Sequence, residues 1–115
     1  MNVRIHPTAL VEAGVEIGAG TAVWDNVHIR HSTRIGEQCI IGEKTYIAYG
    51  VAIGARVKIN AFVYICNAVT IEDGVMISAG TIFTNDRFPR ATTADLPTGT
   101  STRSAIMRAP ISTAR

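Results

Sequence analysis

No stretch of the 115 residues holds the roughly 18 consecutive apolar side chains that a membrane-crossing helix needs. The N-terminus also lacks the charged-then-apolar pattern of a secretory leader, so the expected location is the cytoplasm, with no membrane partner. Charge of one sign is missing as well. Through Arg90 eight Lys and Arg are matched by eight Asp and Glu, and the net charge of +2 comes from Arg103, Arg108 and Arg115 against Asp95. Without a basic stripe the chain is not expected to bind nucleic acid. Histidine is scarce: His28 and His31 lie three apart, His6 stands beside Pro7, and a site of three imidazoles is not assembled, so no metal is expected.

What the chain does have is a ladder. Ile5, Val11, Ile17, Val23, Ile29, Ile35, Ile41, Ile47, Ile53, Ile59, Ile65, Ile71, Ile77 and Phe83 follow one another at a spacing of six. Neither the 3.6-residue period of a helix nor simple strand alternation keeps one phase so uniform. Two residues before each rung sits a small or β-branched side chain, such as Val3, Thr21, Thr33, Cys39 or Val57. On a strand those two positions point the same way. Each hexad therefore predicts a short strand with two inward residues and then a corner. Gly18, Gly36, Gly42 and Gly54 directly follow a rung, whereas Gly14, Gly20, Gly50, Gly74 and Gly80 lie three residues after one.

Over roughly residues 3 to 90 this pattern resembles the hexapeptide acyltransferases. The resemblance implies an all-β fold, a left-handed parallel β-helix of four to five triangular coils with three hexads in each. The handedness comes from the resemblance, since the general preference for right-handed crossovers favours the opposite. The β-helix domain is expected over residues 1–90. The hexad rhythm stops after Phe83, and 91–115, rich in Thr, Ser, Ala and Arg, is expected to be an irregular tail.

With eighteen residues per coil, residues eighteen apart stand above one another. His31, Tyr49, Asn67 and Asn85 then form one outward column, and His28, Tyr46 and Tyr64 a second on the same side. Stacked aromatic and amide side chains can also be a ladder that only stabilises a sheet face. Asn67 can equally cap a corner. The side of Ile17, Ile35, Ile53 and Ile71 carries Gly18, Gly36, Gly54, Glu37, Arg56 and Asp73 and is expected to be solvated. The third side shows outward Ile40 and Met76 with Trp24 near them, and apolar surface of this kind is expected to be covered by another subunit. A homotrimer with parallel axes would bury it. Cys39 takes an inward slot and Cys66 follows a rung on a different side, so both are expected as free thiols, with Cys66 not expected to act as a nucleophile.

Three segments sharpen the function: 24–30 (Trp-Asp-Asn-Val-His-Ile-Arg), 64–74 (Tyr-Ile-Cys-Asn-Ala-Val-Thr-Ile-Glu-Asp-Gly) and 83–91 (Phe-Thr-Asn-Asp-Arg-Phe-Pro-Arg-Ala). Together they resemble the sugar-nucleotide N-acetyltransferases that acetylate a 3-amino group on a nucleotide-linked hexose. The resemblance implies acetyl-CoA as co-substrate and a nucleotide-linked amino sugar as acceptor. It places Asn85 at the sugar amine between subunits, with Asp86 beside it; the column beneath Asn85 is expected to line that groove, with Asn67 and Tyr49 as substrate-binding residues. Asn85 and His31 are the catalytic candidates, His31 as pocket lining and possible base, because only an imidazole there has a suitable pKa. Relatives resume their hexads after the Phe-Thr-Asn-Asp loop and build much of the acetyl-CoA groove with later coils. The unpatterned 91–115 implies activity impaired by truncation, or a non-catalytic, truncated β-helix that trimerises and at most binds sugar nucleotide.

Overall fold

The computed structural model describes residues 2–84 and a strand at Ile106–Met107. Its strands are two residues long and are numbered in chain order. The first coil carries β1 (Arg4–Ile5), β2 (Leu10–Val11) and β3 (Glu16–Ile17), and the second β4 (Ala22–Val23), β5 (His28–Ile29) and β6 (Arg34–Ile35). The third has β7 (Ile40–Ile41), β8 (Tyr46–Ile47) and β9 (Ala52–Ile53). The fourth has β10 (Lys58–Ile59), β11 (Tyr64–Ile65) and β12 (Thr70–Ile71), followed by β13 (Met76–Ile77) and β14 (Ile106–Met107).

These strands form three parallel sheets, one for each face of a triangular prism. Sheet 1 runs β1-β4-β7-β10-β13, sheet 2 runs β2-β5-β8-β11, and sheet 3 runs β3-β6-β9-β12-β14. From β1 to β13 every pairing joins residues eighteen apart, as in Arg4↔Ala22 and Tyr64↔Tyr46. The four to five coils expected from the rungs are thus present as an all-β helix. Within the segment that lacks the hexad pattern, Ile106↔Thr70 and Met107↔Ile71 add one more strand to sheet 3.

The rungs form the core. Ile29, Ile41, Ile47, Ile59, Ile65 and Ile77 have no exposed surface, while Ile5 in the first coil is 45% exposed. The apolar stack is closed along its middle and open at its lower end. Each buried methylene contributes about 0.8 kcal/mol, so the middle coils carry most of the hydrophobic stabilisation.

Inward hydroxyls lock one coil to the next. Thr21 Oγ1 donates to Gly36 O at 2.8 Å and accepts from Cys39 N at 3.1 Å. Thr33 makes the same pair of bonds to Ala48 O and Val51 N, and Thr45 to Asn60 O and Val63 N. Cys39 imitates them, its thiol donating to Gly54 O at 3.0 Å and accepting from Val57 N at 3.4 Å. A buried polar group is stable only when bonded in this way.

Corners take two devices. Twelve described positions, each three residues after a rung, have φ between 55° and 79°; five are glycine and seven are not, Phe62 among them. Directly after a rung the need is space: a Cβ on Gly36 would lie 2.7 Å from the carbonyl carbon and oxygen of Gly54.

Candidate functional site

The outward face of sheet 2 gathers the polar and aromatic side chains. Because β5, β8 and β11 pair in register, His28, Tyr46 and Tyr64 stand one above another. The His28 and Tyr46 rings meet edge to face at 5.4 Å, and Tyr46 stacks on Tyr64 at 5.3 Å with 9° between planes. At the neighbouring corner His31 and Tyr49 stack at 5.3 Å and 4°. The main chain ties that corner column together: Gly50 N donates to His31 O and Ala68 N to Tyr49 O, both at 3.2 Å.

A carboxylate absent from the sequence reading organises this face. Glu12, one residue beyond β2, places Oε2 3.0 Å from His28 Nε2 and 2.9 Å from Arg30 Nε, while Oε1 accepts from the His31 main-chain N–H at 2.9 Å. Arg30 Nε lies close to the carboxylate yet forms no aligned hydrogen bond, so this contact is an ion pair rather than a directed bond. Arg30 Nη1 donates to Tyr46 Oη at 2.9 Å. The His28 hydrogen bond, with the Arg30 and His31 contacts behind it, holds the Glu12 carboxyl down at about 2 against its desolvation. The Tyr46 hydroxyl, and after it the Glu12 carboxylate, raise the Arg30 guanidinium in turn. Counting in eighteens offered a signal, because position 12 lies directly beneath position 30.

Of the residues expected at a site, the structure brings His31 and Tyr49 into contact, both exposed, with His31 Nδ1 3.3 Å from Ser32 Oγ. Asn67 is half-buried at the next level of the same column. Asn85 and Asp86 lie outside the described residues; the chain reaches them through Phe83, whose ring is buried and whose N–H donates to Tyr64 O at 2.9 Å. Cys39 and Cys66 are buried free thiols, and burial pushes both pKa values up, which suits packing rather than nucleophilic chemistry. Among the described residues, no group of three His, Cys, Asp or Glu could hold a metal ion, and no helix is long and apolar enough to cross a membrane.

The other faces differ. Sheet 3 bears a shallow groove of about 610 Å³ lined by Glu16, Arg34, Ala52, Thr70 and Asp73. This side, expected to be solvated, has exposed side chains and is concave as well. On sheet 1, Ile40, Met76 and nearby Trp24 are 41%, 46% and 50% exposed, as the outward positions implied.

Residues 14–49, within the ladder, match the family described as bacterial transferase hexapeptide (six repeats). An acyl-[acyl-carrier-protein]–UDP-N-acetylglucosamine O-acyltransferase from Brucella ovis is 51% identical over 35 residues, which cover 30% of this chain and 13% of that protein. A perosamine N-acetyltransferase variant from Caulobacter crescentus, solved with CoA and GDP-perosamine, superposes with a TM-score of 0.59 at 26% identity. The match covers 71% of this chain and 48% of the other. The acetyltransferase domain of PglB from Neisseria gonorrhoeae shares the fold, with a TM-score of 0.59 at 21% identity, over 72% of this chain and 49% of that one. This chain spans about half the length of these solved neighbours and a smaller part of the curated relative.

Proposed function

We propose that this chain acts as an N-acetyltransferase, moving the acetyl group of acetyl-CoA to the amine of a nucleotide-linked amino sugar. The observation that carries the reading is the concentration of polar and aromatic groups on sheet 2. That face leads up to Phe83, the first residue of the Phe-Thr-Asn-Asp sequence. Acyl transfer in a hexapeptide-repeat fold is supported by the family match, and CoA with a nucleotide sugar by the complex solved for the Caulobacter neighbour.

The reaction asks little of side chains. The neutral amine attacks the thioester carbonyl, a C–N bond forms, and the C–S bond breaks to release the CoA thiolate, which ends protonated. The protein aligns the two reactants and stabilises the oxyanion. In this proposal Asn85 fixes the amine through its carbonyl oxygen, Asp86 and Asn67 hold the sugar, and His31 and Tyr49 line the pocket below. The groove forms between subunits of a homotrimer whose apolar contact surface includes Ile40 and Met76.

Thiol release from acetyl-CoA, measured with a panel of nucleotide-linked amino sugars, tests the reading. Turnover is expected with an amine acceptor, and Asn85→Ala should lower it about 100-fold, the loss seen when one oriented polar contact is removed from a transition state. Transfer to a hydroxyl acceptor instead, or from an acyl carrier protein but not from acetyl-CoA, would overturn it.

A further inference from the structure

The His31–Tyr49 stack ends abruptly at its lower side. The residue eighteen before His31 is Ala13, exposed and carrying only a methyl where the levels above carry rings. The β2–β5 register, Val11↔Ile29, sets Ala13 one coil step beneath His31. That step is about 4.8 Å, so the Ala13 level is a slot in the stack, where a ring would meet the lower face of the imidazole as Tyr49 meets the upper one. The slot is not loosely held. Glu12 accepts from the His31 N–H at 2.9 Å, and with its other oxygen it meets His28 and Arg30, so the carboxylate fixes the edge of the slot from both columns.

We propose that this slot is a nucleobase site: the base of a nucleoside diphosphate stands at the Ala13 level, beside its methyl, stacks under His31 and extends the Tyr49–His31 stack by one ring. Aromatic side chains, histidine included, bind bases in this way, and stacking tolerates any base because each has a π face. Arg30, whose guanidinium meets Glu12 and Tyr46, is the residue before His31, and a cation there suits the phosphate that follows the base. The inference deepens the acetyltransferase reading and rests on it for the identity of the ligand. Phe83 lies four coil steps above Val11, about 19 Å, and a diphosphate and hexose following a base in the slot would run up that face towards it.

Calorimetric titration of the full chain with UDP, GDP and a hexose 1-phosphate tests the site, alongside imidazole resonances followed during the UDP titration. The nucleotides should bind and displace the His31 ring signals by ring current, whereas the hexose phosphate, which has no base, should leave those signals in place. His31→Ala should weaken nucleotide binding about 5- to 150-fold, the range for one lost stacking contact. Ala13→Phe, which fills the slot from an exposed position, should block nucleotide binding while leaving the melting temperature near that of the wild type. Glu16→Gln on sheet 3 serves as the surface control.

Nucleotide affinity unchanged in both His31→Ala and Ala13→Phe would overturn the inference, as would a wild-type chain that binds neither nucleotide. The two readings fail separately. Acetyl transfer with a sugar-nucleotide KM indifferent to His31→Ala sinks the slot and keeps the enzyme. Nucleotide binding that depends on His31, without transfer from acetyl-CoA, sinks the enzyme and keeps the slot.

Discussion

Sheets 2 and 3 are built from the same hexad and the same buried isoleucines, yet they are specified in opposite ways. Sheet 2 is defined by what its outward side chains do to one another: Glu12, His28, Arg30 and Tyr46 form one connected network, with the His31–Tyr49 stack beside it. Sheet 3 is defined by what its corners lack. Gly18, Gly36 and Gly54 follow its rungs, and a Cβ at Gly18 or Gly36 would collide with backbone of the coil above. The first arrangement makes a surface that can recognise a ligand. The second lets coils approach closely and leaves a groove lined by short or solvated side chains. One fold can thus gather polar and aromatic side chains on one face while a neighbouring face secures the stacking.

The largest effect is expected from breaking the sheet 3 device. In Gly36→Ala the methyl would meet Gly54 and the Ala55 nitrogen at 2.7–2.8 Å, and backbone cannot yield as a flexible side chain does. A loss of about 3 kcal/mol is expected from such overpacking, read as a lower urea midpoint. Next is Thr33→Val, which keeps the shape of the side chain but deprives buried Ala48 O and Val51 N of their partner. About 2 kcal/mol should be lost, and Thr33→Cys should recover part of it, since Cys39 already makes the equivalent bonds. On sheet 2, Tyr46→Phe removes only the hydroxyl that receives Arg30 Nη1. The expected cost is below about 1 kcal/mol because the pair is half-exposed and screened. A drop as large as that of Gly36→Ala would mean that sheet 2 carries structural weight the comparison denies it.

The smallest effect has the sharpest pH signature. The Glu12 carboxyl lies at about 2 in the folded chain against an ordinary 4.5. A depressed carboxyl contributes stability that is fully present above its unfolded value and lost as pH falls through its folded one. The stability difference between wild type and Glu12→Gln should therefore be constant above about pH 4.5 and vanish on acidification towards 2. Urea midpoints collected across that range would check it, and a difference that does not change below pH 4.5 would contradict the network.

Much of this was legible in the sequence, for a physical reason. The interior of the helix demands one large apolar residue per strand, and the fourteen rungs from Ile5 to Phe83 answer it without a gap. The columns followed from counting, and the stacking of Tyr46 on Tyr64 and of His31 on Tyr49 agrees with the count. The corners were only half visible. Five positive-φ positions announce themselves as glycine, but Lys44, Arg56 and Phe62 adopt the same backbone because register compels them, as in the bond from Lys44 N to Asp25 O. Glu12 escaped notice because each side chain it binds lies sixteen or more residues away, and a lone carboxylate in a hexad reads as a solvated corner. The reading of Asn85 and Asp86 concerns residues outside those described.

The register has one further consequence, for how such a chain tolerates insertions and deletions. The interior repeats every six residues, whereas a face repeats every eighteen. Removing one hexad between His31 and Tyr49 would keep a large apolar rung in every remaining hexad, so the apolar interior would register no error. Outside, everything downstream would turn by a third of a revolution, and Tyr49 would leave the face that carries His31. Length changes in multiples of eighteen preserve both periods. The fold's reading frame is thus three times finer than that of its surface, and a six-residue slip would separate folding from recognition without altering a single amino acid.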